Sequence, residues 1–462
     1  MASSANGRGA WLLLILGVSC WLRIAVGFGL LEHPERAQRN DSAGYSSIAE
    51  NLSNGNGYSA DLAPPRTPAV GRTPVYSVFL GAVLSVGRDV KWIWLAQVAL
   101  DLCTALLVYG IARRMVAGRF ALLACACYGV GMSGAVATAF VMPEVLFTFL
   151  VTAFVYATLR AVDGIRRPFG ERPRTSWLAL AAALLAAAIL CRPIGVALVP
   201  VVCLFLLFGA RASRRRRAID LLVVGVTLAA LVGPWMYRNW EVTGHLTIST
   251  IGDYNLLAYN AAALLAAESG RLESDVRTEL EATLQSEPGD WSWIPRARSQ
   301  ARSILLERWP RYLWLHARRS VLGVAPDLSG LLELQGVTRG NRDTMSVLRR
   351  DGVVAASRHY LDGVQGRRTL FLTLPWLVIL GMVWAAALVG AIVGVIRKDP
   401  RIGFLSLWVV ALLFAAGPAS HPRFGVPIFP AVAILAGVGA AGSHRVRIAR
   451  LRSREFDAPS RP

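Results

Sequence analysis

The sequence lacks the cysteine patterns that mark disulfide-rich domains and zinc sites. It contains only six cysteines, and no two of them form a CxxC pair. All six lie in or at the ends of apolar segments, whereas the longest polar stretch contains none. A disulfide framework shows as several cysteines in exposed chain, and a structural zinc site as closely spaced ligand pairs. The sequence therefore predicts neither.

The chain also lacks an internal repeat, and no small-residue cleavage site follows its first apolar run. Transporters and lipid flippases usually consist of repeated halves with interrupted helices at matching positions. The lopsided arrangement of this chain argues against that class, which is kept as the main alternative. Without a cleavage site, the first apolar run is predicted to be a retained membrane span rather than a signal peptide.

Long apolar runs dominate the 462 residues, of which 54% are hydrophobic. A helix needs roughly 20 mostly apolar residues to cross the hydrocarbon core of a bilayer. The runs predict an all-α integral membrane protein with about ten transmembrane helices. The predicted spans are Trp11–Leu31, Trp92–Ala112, Phe120–Val141, Val145–Leu159, Trp177–Leu190, Val196–Phe208, Leu221–Trp235, Leu370–Ile396, Gly403–Ala416 and Gly425–Ala441.

The net charge of +20 comes mostly from arginine that clusters in short loops between apolar runs. Such clusters mark cytoplasmic loops, and the pattern predicts no nucleic-acid partner. If the short apolar run within residues 72–87 lies on the membrane surface or forms a re-entrant segment, every cluster and both termini fall in the cytoplasm. Whether residues 74–88 cross the membrane is left open. The clusters are Arg113, Arg114 and Arg119; Arg166, Arg167, Arg172 and Arg174; Arg214 to Arg217; Arg397, Lys398 and Arg401; and the tail after Ser443.

This topology divides the chain into four predicted parts. Residues 1–240 form an N-terminal membrane domain, and residues 241–368 form a large outer loop region that is mostly helical. Residues 369–442 form the C-terminal membrane helices, and residues 443–462 form a basic cytoplasmic tail. Within the outer loop, arginines alternate with Trp309, Leu313 and Trp314, which predicts an amphipathic helix resting on the membrane.

A short polar stretch, Asn40 to Asn54, directly follows the first span. Asp41 leads it, and Tyr45, Ile48 and Leu52 then recur with the spacing of one helix face. The pattern predicts an amphipathic helix lying on the membrane surface in the first outer loop, with a carboxylate at its leading end. On the local pattern alone, Asp41 could simply cap this helix.

The predicted topology gathers acids and arginines on the outer face. Transfer of a sugar from a polyprenyl phosphate needs cations for the departing phosphate and one carboxylate as base for the acceptor hydroxyl. Arginine suits phosphate because its planar guanidinium donates two parallel hydrogen bonds. The lipid tail of such a donor also requires a site at the membrane interface. The gathered residues are Asp41, Arg72, Glu144, Arg192, Arg238 and Arg423.

The segments that carry these residues resemble a known family. In their order and spacing they are similar to those of the C-type (GT-C) glycosyltransferases, in particular the protein O-mannosyltransferase, aminoarabinose-transferase and rhizobial galacturonosyltransferase group. The resemblance covers nearly the whole chain. The segments are DSAGYSSIAENL from Asp41, RTPVYSVFLGAVL from Arg72, MPEVLFTFL from Met142, CRPIG from Cys191, PWMYRNW from Pro234 and HPRFGVPIFPAVAILAG from His421.

The resemblance implies roles for individual residues. Asp41 occupies the position of the catalytic acid after the first span, as base or metal ligand, although many relatives carry a second acid where this chain has Ser42. Glu144 matches a second acid on the next outer loop. Arg72 matches a basic residue near the donor phosphate. Arg192 matches a basic residue at the same turn, and Arg423 matches one before the last span. These arginines are Arg72, Arg192 and Arg423, with Arg238 as a further candidate for binding the phosphate.

Each of these residues also has a simpler explanation. Glu144 could merely begin a helix after Pro143, because acids favour the first turn. The arginines could extend to lipid headgroups from the ends of the spans. His421 has no second histidine near it and is predicted to be structural. Within the spans, Arg23 and Asp101 are predicted to form a structural ion pair, since an unpaired charge there is costly.

The resemblance implies a membrane glycosyltransferase that acts with inversion on the outer face of the cytoplasmic membrane. Its donor would be a polyprenyl-phosphate-linked sugar, and its acceptor a hydroxyl of an envelope lipid, glycan or protein. Its further partner is the surrounding membrane lipid. The resemblance implies no certain cofactor, and the use of a divalent metal ion is left open. An envelope polysaccharide ligase or polymerase is a further alternative, against which the carboxylate helix directly after the first span argues.

Overall fold

The structure, a computed structural model, describes residues 2–39, 41–163, 174–210, 212–285, 287, 289–336, 344–362 and 367–456. Asn40 of the predicted surface stretch lies outside the described residues. So do Arg166, Arg167 and Arg172 of the predicted cytoplasmic clusters and the last residues of the basic tail.

Helices form most of the described chain, and no strand occurs in it. Long helices are expected here because a helix satisfies its own backbone hydrogen bonds in lipid. Among the described residues, eight helices are long and apolar enough to cross a membrane. They are Gly7–Leu31, Val90–Ala112, Glu144–Val162, Arg174–Cys191, Arg214–Thr243, Leu374–Arg397, Pro400–Ala419 and Pro422–His444.

The two remaining predicted spans are irregular. Gly118–Gly129 and Met132–Thr138 form one segment that is bent by 52°. At the bend, a Cβ atom on Gly131 would lie only 2.5 Å from the Phe429 ring, so a larger residue would not fit. Pro193–Gly209 is a shorter apolar helix in the place of the predicted span Val196–Phe208. The predicted all-α membrane architecture is confirmed.

Two loops meet on one face of the bundle, which we call the loop face. The Ser249 hydroxyl donates to the carbonyl of Gly71 at 2.7 Å, and Arg39 pairs with Asp327 at 2.9 Å. Residues of the first loop therefore contact residues of the long loop directly. The helices of these loops are Ser42–Ser53, Pro74–Val86, Ile251–Asn255, Ala262–Ser269, Glu273–Ala282, Trp293–Glu307, Trp309–Ser320, Leu328–Leu334 and Thr344–Asp362.

Basic residues meet on the opposite face. Arg114 pairs with Asp163 at 2.8 Å, and Arg401 donates to the carbonyl of Arg114 at 3.1 Å. Arg174 and Arg216 both pair with the buried Asp220. The described basic clusters thus share one face, as the charge pattern predicts. That this face is cytoplasmic stays a prediction.

The short helix Pro74–Val86 lies along the loop face. It has 13 residues, so it is about 20 Å long, well short of a hydrocarbon core of roughly 30 Å. Thr73, which precedes it, donates to the carbonyl of Cys191 at 3.1 Å, where Arg174–Cys191 reaches the loop face. The chain then turns directly into Val90–Ala112, which begins at the same face. Because the helix starts and ends at the loop face, it does not cross the bundle.

A buried ion pair links the first span to its neighbours. Arg23 Nε lies 2.5 Å from Asp101, and both side chains are almost completely buried. The Tyr128 hydroxyl donates to the other oxygen of Asp101 at 2.6 Å, and Arg23 donates to the carbonyl of Gly129. The predicted pair is therefore present, and its partners come from three different spans.

Candidate active site

The amphipathic helix Ser42–Ser53 places Asp41 at the loop face. Its apolar side is buried through Tyr45 and Ile48 and packs on Pro74–Val86, where the Tyr45 ring meets the Tyr76 ring edge to face. Asp41 stands at the N-cap position, but its carboxylate makes no capping hydrogen bond. The explanation of Asp41 as a simple cap is therefore wrong, because the side chain points to other partners.

Two arginines hold the Asp41 carboxylate. Arg72 Nη2 lies 2.9 Å from Oδ1, and Arg423 Nη2 lies 3.0 Å from Oδ2. Arg72 precedes Pro74–Val86, whereas Arg423 lies in the 3-10 turn Pro422–Ile428 that opens the last span. Each oxygen of the carboxylate thus has its own guanidinium, and the Asp41 side chain stays about one-third exposed.

A second acid extends the row of charges into the protein. Glu144, the first residue of Glu144–Val162, lies 2.7 Å from Arg192 and is only 2% exposed. Arg423 Nε lies 3.8 Å from the same glutamate oxygen, so Arg423 connects the two acids. Within the described residues, Glu144 Oε2 is buried without a hydrogen-bond partner. We call Arg72, Asp41, Arg423, Glu144 and Arg192 the charge cluster.

Aromatic rings complete the cluster, and sequence reasoning missed their role. The Arg72 guanidinium lies 4.9 Å from the centre of the Tyr45 ring. Phe424 lies 4.9 Å from Arg192 and 5.6 Å from Arg423, close enough for attraction between cation and ring. The spacing of Asp41 and Tyr45, four residues apart on one helix, was the available signal that both side chains share a face.

The surroundings of Asp41 favour its ionised form. Partial burial raises the pKa of Asp41, but the charges of Arg423 and Arg72 outweigh it, so the pKa lies below its ordinary value. Burial raises the pKa of Tyr45, and the nearby Arg72 and Arg192 oppose this only in part. At neutral pH the cluster therefore holds a carboxylate beside a neutral phenol.

Arg238 does not join the charge cluster. It donates to the carbonyl of Ala69 at 2.7 Å, and its guanidinium lies 5.0 Å from the Trp235 ring. These contacts tie the end of Arg214–Thr243 to the first loop. The assignment of Arg238 to phosphate binding stays a prediction, with no contact to the clustered acids in its support.

His421 lies beside the cluster in a structural position. Its Nδ1 accepts from the backbone N–H of Arg423 at 3.4 Å. Burial lowers the pKa of His421 to about 4, although the nearby Asp327 opposes that shift. A neutral ring can accept this hydrogen bond, so His421 supports the turn that carries Arg423.

The cluster fits a divalent metal ion poorly. Each of its carboxylates is already engaged by arginine, and guanidinium groups repel a cation. Among the described residues, no group of three or more His, Cys, Asp or Glu side chains is placed to hold a metal ion. Positive charge at this site comes from the arginines.

The chain is similar to known membrane glycosyltransferases. Residues 71–237 match the family model of the dolichyl-phosphate-mannose-protein mannosyltransferases. No curated protein matches the sequence significantly. The archaeal oligosaccharyltransferase AglB from Archaeoglobus fulgidus, with an inhibitory peptide and a dolichol-phosphate, is 14% identical over 98% of this chain and 52% of its own, with a TM-score of 0.53. The Archaeoglobus fulgidus oligosaccharyltransferase in its apo form is 12% identical over 98% of this chain and 52% of its own, with a TM-score of 0.54.

A further solved structure has lower structural similarity. ArnT from Cupriavidus metallidurans, bound to undecaprenyl phosphate, is 16% identical over 94% of this chain and 78% of its own, with a TM-score of 0.42. The chain spans about half the length of the AglB chain. At these identities the likeness to AglB shows the fold alone.

The chain has the fold of AglB, and its residues 71–237 match the mannosyltransferase family model; both findings agree with the resemblance to the C-type glycosyltransferases that its motifs carry. The matched segment includes Arg72, Glu144 and Arg192 but neither Asp41 nor Arg423. The roles of the cluster residues therefore rest on their geometry.

Proposed function

We propose that the protein transfers a sugar from a polyprenyl-phosphate donor to a hydroxyl group on the outer face of the cytoplasmic membrane. The observation that carries this proposal is the Asp41 carboxylate held between Arg72 and Arg423 on a surface helix. This arrangement combines the proposed base with two guanidinium groups. It lies at the loop face, where a donor anchored by its lipid tail would present its phosphate.

The charge balance of the cluster supports a phosphodiester ligand. Its three guanidinium groups exceed its two carboxylates by one positive charge. A polyprenyl-phosphate sugar carries one negative charge at its phosphodiester, so binding would neutralise the cluster. Arg72 and Arg192 are the proposed donor contacts, because a planar guanidinium donates two hydrogen bonds to phosphate.

The proposed reaction is a single displacement with inversion. Asp41 accepts the proton of the acceptor hydroxyl while the hydroxyl oxygen bonds to the anomeric carbon. The bond from that carbon to the phosphate oxygen breaks, and its electron pair leaves with the polyprenyl phosphate. The arginines stabilise the charge that develops on this phosphate, so no general acid is needed. Contact between the donor phosphate and Arg72 would also weaken the hold of Arg72 on Asp41 and make the carboxylate more basic.

The direct test is an assay of the purified full-length protein in lipid nanodiscs with a panel of polyprenyl-phosphate sugars. We expect sugar transfer or release from at least one donor, and its loss in Asp41→Asn. Lipid, glycan and peptide acceptors are compared in parallel, because the acceptor class is open. Each reaction is repeated with EDTA, and rates should be unchanged if the arginines alone supply positive charge.

Two results would reject the proposal. One is failure of the wild-type protein to use any donor of the panel. The other is transfer by Asp41→Asn at the wild-type rate. Movement of the intact lipid-linked sugar between leaflets, without cleavage, would instead favour the flippase alternative.

A further inference from the structure

One helix of the long loop leaves a broad apolar face uncovered. In Trp309–Ser320, the side chains of Trp309, Leu313 and Trp314 are exposed by 60%, 48% and 71%. Val321, directly after the helix, is exposed by 63%. Soluble surfaces rarely carry a contiguous apolar patch of this kind without a partner. We call these four residues the apolar face.

The opposite side of this helix is committed to the protein. Tyr312 and Leu315 pack against the buried core of the long-loop helices. Arg319 pairs with Glu273 at 2.8 Å, and both side chains are nearly buried. The helix cannot rotate its apolar face inward without losing these contacts. The exposure is therefore a fixed feature of the fold.

The helix that carries the apolar face contacts the end of a helix of membrane-spanning length. His316 Nε2 donates to the carbonyl of Phe414 at 2.6 Å, and the two rings lie 4.5 Å apart. Phe414 is exposed together with Val410 and Leu407, whose spacing makes one stripe along Pro400–Ala419. This stripe is an exposed side of a helix that is long and apolar enough to cross a membrane, and its last residue contacts His316. Trp309–Ser320 therefore adjoins the end of this membrane-length helix at the loop face.

Exposed arginines border the apolar face. Arg311 and Arg318 are both exposed, and at about 100° per residue they fall beside Trp314 on the helix surface. Arg311 also pairs with Glu268 at 3.0 Å on the protein side. Tryptophan favours the membrane interface, and basic residues beside an apolar face favour anionic lipid headgroups.

We propose that Trp309–Ser320 is an interfacial helix that seats the long loop on a bilayer rich in anionic phospholipid. Its tryptophans lie at headgroup level, and Arg311 and Arg318 contact lipid phosphate. The proposed occupant is lipid rather than a second protein, because His316 of the same helix contacts Phe414 at the end of the exposed apolar stripe on Pro400–Ala419. This surface is separate from the charge cluster and does not depend on the proposed reaction.

The test measures the depth of one labelled position. In a full-length protein without native cysteines, Ala317→Cys places an environment-sensitive fluorophore on the exposed side of the helix. Ser274→Cys on Glu273–Ala282 serves as the water-exposed control, and Val410→Cys as the bilayer control. In nanodiscs with anionic lipid, the label at 317 should shift its emission to the blue. Nitroxides near the headgroups should quench it most, whereas the label at 274 should resemble water.

A charge comparison completes the experiment. Arg311→Gln with Arg318→Gln should reduce the quenching at 317 in anionic nanodiscs towards its value in zwitterionic ones. Arg296→Gln with Arg302→Gln, exposed on the adjacent helix, should leave it unchanged. Water-like emission at 317 in every nanodisc would overturn the proposal. So would a blue-shifted label that lipid nitroxides do not quench, because that result means a protein covers the face.

Discussion

The carboxylate of Asp41 lies 3.0 Å from the guanidinium of Arg423, which ties the loop after the first span to the turn before the last span. Arg423 also approaches Glu144 on a third span. The row of charges is therefore complete only when the first, middle and last parts of the bundle have assembled. Substitutions in this row should act on catalysis more than on the fold, because the Asp41 end is partly exposed.

Asp41→Asn should abolish most turnover. The substitution keeps the size of the side chain but removes the charge and the proton acceptor. A positioned base contributes roughly 10² to 10⁴ in rate, so we expect a loss of at least about two orders of magnitude. Stability should change by about 1 kcal/mol or less, because the Asp41 ion pairs are partly exposed and such pairs contribute little. Transfer rate and thermal unfolding are measured on the same preparation.

The matched control for Asp41→Asn is Glu50→Gln. Glu50 is an exposed acid on the same helix, away from the charge cluster, so its amide variant should keep the wild-type rate. Asp41→Glu keeps the carboxylate but moves it by one methylene group. A large loss of transfer rate in this variant would mean that the exact position of the carboxylate matters. A near wild-type rate in Asp41→Asn would leave Asp41 without a catalytic role.

Arg72→Lys and Arg192→Lys should impair donor use even though charge is kept. Lysine cannot reproduce the two parallel hydrogen bonds that a guanidinium gives to phosphate. Loss of one charged hydrogen bond corresponds to about a tenfold or larger fall in kcat/KM for the donor. Steady-state kinetics with varied donor measure it, and Arg302→Lys on the exposed long loop is the control. Unchanged donor kinetics in both variants would remove these arginines from phosphate binding.

Hydropathy alone predicted the helical membrane architecture, because crossing a bilayer leaves a signal in every span. It did not predict the bend at Gly131, which depends on the approach of Phe429. The acids and arginines could be selected from the sequence, but the contact of Asp41 with Arg423 depends on how distant spans pack. Tyr45 was counted only as an apolar position, since spacing does not show where a hydroxyl or ring will lie.

The buried pair Arg23–Asp101 should matter for stability and not for chemistry. Asp101→Asn leaves the buried Arg23 without its counter-charge, and breaking such a pair costs about 3 to 5 kcal/mol. Replacing both residues by leucine should recover much of that loss, because no uncompensated charge remains. Thermal unfolding in detergent compares the two variants with wild type. Recovery of stability with a lasting loss of turnover per folded molecule would show that the pair takes part in function.

The sidedness of the membrane can be tested by labelling. In a chain without native cysteines, Ser213→Cys stands beside the arginine run that starts at Arg214, and Ser274→Cys stands on the loop face. The charge pattern predicts that an impermeant reagent labels position 274 in intact cells and labels 213 only after permeabilisation. The reverse pattern would place the charge cluster on the cytoplasmic side and reject the proposed outer site.

The pH dependence of kcat/KM should report the ionisation of Asp41 in the free enzyme. Burial raises the pKa of Asp41, but the charges of Arg423 and Arg72 lower it by a larger amount. The pH at which activity falls on the acidic side should therefore lie below the ordinary aspartate pKa. Arg423→Gln removes the larger of these two charge effects. The pKa should then rise, the carboxylate should gain its proton at a higher pH, and the acidic limb should move towards neutrality.

This shift is read from profiles that are normalised to their own maximum, because Arg423→Gln also lowers the absolute rate. Arg302→Gln removes an arginine far from the cluster and should leave the limb in place. The stability of each variant is measured over the same pH range. Asp41 stabilises the fold only while it is ionised, and this contribution is lost as the pH falls through its folded-state pKa. An acidic limb that stays fixed in Arg423→Gln, in protein that remains folded, would mean that the group controlling activity is not Asp41.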